Sequence, residues 1–151
     1  MLSRRHVLGL AASLPVMGLI GRPAMAEPEV FSDMGTALRG ADPVAYFTEG
    51  APVSGRPEFG LMWRGAVWEF ASARHRTMFE MDPERFAPQY GGYCAFAMSQ
   101  GYVAPTVPEA WTIHNGKLYM NYSLAVRERW QADIDGYVAL ADSHWPDALG
   151  A

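Results

Sequence analysis

The chain has 151 residues, half of them hydrophobic and 13% aromatic, with a formal net charge of −4. That composition can bury a sizeable core, and the acidic balance excludes the attraction that nucleic acid or an anionic membrane surface requires. The single cysteine, Cys94, cannot close a disulfide within the chain, so stability must come from packing.

Met1 to Ala26 has the parts of a secretory leader: basic Arg4 and Arg5, an apolar run from Val7 to Ile20, and the small-residue site Ala24-Met25-Ala26 before Glu27. Ser3-Arg4-Arg5-His6-Val7-Leu8 resembles the twin-arginine export motif, with Val7 where that motif usually has Phe. The alternative is an uncleaved anchor, but the apolar run is shorter than the roughly 20 residues a membrane-spanning helix needs. The expectation is cleavage after Ala26 and export to the periplasm, without a membrane span afterwards. Three of the 12 basic residues lie in this leader and none of the 16 acidic ones do. Nine basic residues then face sixteen acidic ones, a charge of −7 on the remaining 125 residues. A chain of that length suits one domain.

Glu27 to about Thr36 lacks periodicity and reads as a loosely held arm, extending to residue 39. Gly40 to Phe47 reads as a turn into a short strand, because Pro43 opposes helix and β-formers follow it. Phe59–Trp63 and Ala66–Phe70 predict a hairpin turning at Arg64-Gly65. Ser72 is a good cap for a helix from Ala73 to Met81, with Met78, Phe79 and Met81 facing the core and Arg74, Arg76 and Glu80 facing water. Asp82-Pro83 ends it and starts a short turn to Phe86. Tyr93 to Gln100, bracketed by Gly91-Gly92 and Gly101, is either one short helix or a structured loop. Trp111–His114 and Lys117–Met120 flank Asn115-Gly116, the favoured two-residue hairpin turn. Leu124 to Trp130 predicts a helix. A second helix from Asp133 sets Ile134, Tyr137, Val138, Ala141 and Trp145 on one face. The fold class expected is α+β: a small antiparallel sheet of two hairpins, packed with the Ala73 helix and a C-terminal helical pair. Residues 1–26 are the leader, 27–39 the arm and 40–151 the domain.

Asp42-Pro43-Val44, Val67-Trp68-Glu69-Phe70 running into Ala71-Ser72, Phe79, and Asp82-Pro83-Glu84-Arg85-Phe86 together resemble a YHS domain. Tyr90-Gly91-Gly92-Tyr93-Cys94-Ala95, Glu109-Ala110-Trp111, Lys117-Leu118-Tyr119 and Asn121-Tyr122 resemble the exported branch of that family. Metal-handling members hold thiolates at three positions, which match Ala45, Ala71 and His75 here. A soft-metal thiolate site cannot form from those three residues.

The remaining donors are Cys94, Met98, His75 and His114. Cys94 and Met98 are four apart, so on a helix both sulfurs share a face, and thiolate with thioether selects copper(I). A helix start at Cys94 would lower its pKa. The plainer reading packs both in the core. His75 stands between Arg74 and Arg76, where a solvent-exposed histidine is the simpler reading, and His114 sits at a hairpin end with the same alternative. His144, at a helix end, takes no chemical role. Tyr46, Tyr90, Tyr93, Tyr102, Trp111, Tyr119 and Tyr122 flank the glycine-rich turn. They form either a core or a pocket near Cys94, with Tyr46, Tyr93, Trp111 and Tyr119 as its wall. No nucleophile elbow is present, since Ala97-Met98-Ser99-Gln100-Gly101 lacks the first glycine. Asp42 beside Pro43 reads as a turn-stabilising side chain. The function expected is therefore a non-catalytic, exported YHS-type domain that binds a metal, copper foremost, or takes part in metal homeostasis. The alternative is a metal-free module that binds a small ligand or a protein partner through the aromatic pocket; a thiol enzyme at Cys94 stands third.

Overall fold

The computed structural model describes residues 25–150, so the leader before Met25 lies outside the described residues. The fold is α+β, as expected, but the two predicted hairpins belong to separate sheets. In the larger sheet, β1 (Ser32–Asp33), β2 (Thr36–Ala37), β3 (Arg56–Trp63) and β4 (Ala66–Phe70) lie in the order β1-β2-β4-β3. The β3–β4 hairpin turns at Arg64 (φ 49°) and Gly65 (φ 79°), and Trp63 pairs with Ala66. Positive φ at both turn residues matches the right-handed twist of the strands. Strand β2 joins β4 in parallel at Thr36 and Val67. On β4 the alternation is clear: Ala66, Trp68 and Phe70 are buried while Val67 and Glu69 are half-buried.

The arm is not loose. Val30, Ala37 and Leu38 are buried, Glu27 N donates to the Leu149 carbonyl (2.8 Å), and Phe31 N donates to the Gly91 carbonyl (2.9 Å). A sequence without periodicity gave no sign of this, because the arm is fixed by contacts with distant segments rather than by a repeating face.

Residues expected to enter a strand after Pro43 form a short helix instead, α1 (Ala45–Thr48). Pro43 stands just before Val44, the residue that caps α1, so its missing N–H takes nothing from the helix. The Asp42 carboxylate supplies the rest: its Oδ1 accepts from Val44 N (2.8 Å) and Ala45 N (3.2 Å). Helix α2 (Ala73–Met81) starts at Ser72, whose Oγ accepts from His75 N (3.1 Å). Phe79 is buried on it and Met78 partly so, but Met81, expected in the core, is 82% exposed at the last turn. A further short helix, α3 (Pro83–Phe86), follows.

Tyr90, Gly91 and Gly92 all have positive φ, and this turn delivers the chain to Cys94, which caps α4 (Ala95–Ser99). The segment left open between helix and loop is therefore a one-turn helix. Strands β5 (Trp111–His114) and β6 (Lys117–Met120) turn at Asn115 and Gly116, both with positive φ. Helices α5 (Leu124–Gln131) and α6 (Ile134–His144) are capped by the Ser123 and Asp133 side chains.

Two cores result. The first gathers Val44, Tyr46, Trp68, Phe70, Phe79, Phe86, Leu118 and Met120. The second gathers Tyr90, Ala95, Met98, Tyr119, Trp130 and Ala141, with Ile134, Tyr137, Val138 and Trp145 packed against it. The predicted face of α6 is the face that packs. Among the described residues, no helix is long and apolar enough to cross a membrane.

Candidate functional site

Ala45, Ala71 and His75 lie around the side chain of Asp42. Its carboxylate is fully buried and accepts from Val44 N and Ala45 N through Oδ1. Through Oδ2 it meets Ala71 N (2.9 Å) and His75 Nδ1 (2.6 Å). His75 is thus not a surface histidine on a charged helix face; its side chain is 13% exposed and partnered by a buried carboxylate. Asp42 stabilises the turn, as its place beside Pro43 suggested, and also ties α1, the end of β4 and α2 into one knot. No sequence spacing links Asp42 to His75, so only the fold reveals the pair.

Cys94 lies at the start of α4, 1% exposed. Phe96 N donates to Asn121 Oδ1 (3.2 Å), which fixes that amide's orientation. The same oxygen lies 3.5 Å from Cys94 Sγ, so the thiol is the donor there and carries its proton. The sulfur accepts from Ala97 N (3.5 Å) and Tyr122 N (3.3 Å). Burial pushes the Cys94 thiol up from its ordinary pKa, outweighing the N–H groups of Ala97, Tyr122 and Phe96, which pull it down. The expected lowering at a helix start is reversed, because a one-turn helix in the interior offers less than desolvation removes. Asn121 belongs to the Asn121-Tyr122 motif, but nothing in the sequence gives it a place beside Cys94. Its fully buried side chain is the piece of this site that sequence reading missed, and its Nδ2 has no hydrogen-bond partner among the described residues.

Met98 is wholly buried in the second core. His114, 28% exposed on its side chain, bonds through Nε2 to Asp135 Oδ1 (2.8 Å) at the surface. Among the described residues, no three His, Cys, Asp or Glu side chains form a group able to hold a metal ion. Cys94, His75 and His114 are therefore not brought to one centre, and His75 and His114 each already face a carboxylate.

The four aromatics expected to wall a pocket do not share one. Tyr46 packs against Trp111 in the first core (ring centroids 5.4 Å apart), with its hydroxyl on the Pro108 carbonyl (2.8 Å). Tyr93 holds the arm by donating to the Pro28 carbonyl (2.7 Å). Tyr119 packs on Trp130 in the second core (5.2 Å). Their rings serve packing, and their distribution over two cores could not be read from proximity in sequence.

A groove does lie over Cys94, of about 270 Å³, lined by Cys94, Phe96, Ala97, Tyr102, Ala104, Tyr122 and Val126. None of these side chains is charged. Tyr102 and Tyr122 stand half-exposed at its edge; both belonged to the wider set of tyrosines around the glycine turn, though not to the four chosen from it. Compared with known family models, curated proteins and solved structures, the chain matches none of them.

Proposed function

We propose that this protein is an exported, non-catalytic binding module that takes a small, largely apolar molecule in the groove over Cys94. The observation that carries the reading is the groove's lining: apolar and aromatic side chains, two tyrosine rings at the rim and a protonated thiol at the floor. Such a lining rewards burial of apolar surface and offers the tyrosine hydroxyls to orient one polar group. Kinship with the YHS family and export by the twin-arginine route belong to the same proposal. They rest on the ordered motifs from Asp42 to Tyr122 and on Ser3 to Leu8.

Copper binding at Cys94 and Met98 has weaker support, because the donors do not fit a thiolate centre. The thiol is protonated and engaged with Asn121, Ala97 and Tyr122, and the Met98 side chain is packed in the interior. A metal would have to displace those partners and strip the proton from a buried group. The test is an amide-shift NMR titration of the full chain with p-cresol. Saturable shifts clustered on Cys94, Tyr102, Tyr122 and Val126, abolished by Val126→Trp, support the reading. Shifts spread over the surface, or binding unchanged in Val126→Trp, refute it.

A further inference from the structure

A second cavity lies on another part of the molecule, between the arm, the β3–β4 hairpin turn and the end of α6. It encloses about 100 Å³, room for only a few heavy atoms. Trp63, Trp68, Tyr90 and Trp145 line it, together with Glu29 and Glu84. The chain already sets one cation against this wall. The Arg64 guanidinium sits 4.4 Å from the centroid of the Trp63 ring, bonds to Glu84, and reaches Glu29 at 3.3 Å. Two carboxylates against one guanidinium leave the cavity one negative charge in excess, and indole rings attract cations through their quadrupole. An anion would meet that excess as repulsion. A neutral molecule of the same size would gain burial but neither electrostatic contribution.

The geometry points to this cavity as a site for a compact organic cation, of the methylated-ammonium class, held by aromatic rings and by the charge that Arg64 leaves uncompensated. The site is built rather than incidental. Gly91, which also lines it, has φ +62°, and a Cβ there would lie 1.9 Å from the Glu29 carbonyl oxygen and 3.3 Å from the Trp145 ring. The backbone thus brings Glu29 and Trp145 as close to the turn as a residue without a side chain permits. Trp68 Nε1 donates to the Trp63 carbonyl (3.0 Å), which holds the two indoles in fixed relation.

The experiment is titration of the full chain with tetramethylammonium, followed by tryptophan fluorescence, beside tert-butanol as an uncharged probe of similar shape. Tetramethylammonium should give a saturable change, and tert-butanol should bind about tenfold more weakly. Glu84→Gln, at a residue whose side chain is 66% exposed and so dispensable for folding, should weaken the cation about twofold to fivefold. Glu29→Gln provides the same readout independently. Arg64→Asn removes the internal cation while keeping a residue suited to the positive φ of the turn, and should tighten binding. Equal affinity for both probes, no saturable response to tetramethylammonium, or unchanged affinity in both carboxylate variants overturns the assignment.

Discussion

Replacing Asp42 with alanine strips one acceptor from four donors at once. The N–H groups of Val44 and Ala45 belong to fully buried residues, and Ala71 N and His75 Nδ1 converge on the other oxygen. Each buried donor left unpaired costs about 1–3 kcal/mol. Removing a buried carboxylate returns part of its desolvation penalty, so the loss is smaller than four such costs. The expected net destabilisation is about 4 kcal/mol, a large fraction of a total of roughly 5–15 kcal/mol. For a domain of this size it appears as a drop in Tm of about 15 °C. His75→Ala leaves the carboxylate its three backbone donors and should cost only about 1–2 kcal/mol. Urea unfolding of both single variants and the double variant completes a cycle, with a coupling of about 1.5–3 kcal/mol for a hydrogen bond to a charged group. A loss below about 1 kcal/mol for Asp42→Ala, or equal losses for the two single variants, would refute the claim that the carboxylate organises the knot.

Gly91→Ala should be among the most damaging single-methyl additions, since the new Cβ meets the Glu29 carbonyl at 1.9 Å and the arm must lift away. Gly116→Ala shares a positive φ but has nothing within 4 Å, so only the backbone preference of about 1 kcal/mol is lost; melts of similar size for the two would contradict the docking of the arm. Stability should also fall in alkali. Burial pushes the Tyr93 hydroxyl up to about 12, and burial, aided for Tyr90 by the hydrogen bond to Asp142, pushes Tyr46 and Tyr90 further. Unfolded tyrosine titrates near 10, so the folded state keeps protons that the unfolded chain has released. The contribution is complete below about pH 10 and declines above it by about 1.4 kcal/mol per pH unit for each such tyrosine, the decline for Tyr93 ending near pH 12 and that for Tyr46 and Tyr90 continuing further. The part of the tyrosinate absorbance that is lost in Tyr46→Phe, Tyr90→Phe and Tyr93→Phe should rise together with loss of the circular dichroism signal; ionisation of that part near pH 10 with the fold intact would exclude this account.

Much of the architecture was legible because local chemistry and final structure agree. Arg64-Gly65 and Asn115-Gly116 are turns whose demands are met within two residues, and Ser72 caps its helix through an N–H three residues on. The face of α6 shows in spacing alone. What failed is what depends on distant partners. The helix after Pro43 exists because Asp42 is buried and held by Ala71 and His75, and neither residue is near it in sequence. Tyr46, Tyr93 and Tyr119 read in sequence as one pocket wall, yet serve two cores and the arm. Cys94 stands out in the sequence by its rarity, but its protonated state follows from Asn121, whose motif gives no hint that the fold brings it alongside the thiol.

The bond between Glu27 N and the Leu149 carbonyl also sets an order of events. The ribosome releases these two residues on the order of ten seconds apart at ordinary elongation rates. Val30, Phe31 and the strand pair behind them can meet the glycine turn earlier, but Glu27 cannot be clasped until Leu149 has emerged. Closure at that point therefore records that translation has passed Leu149.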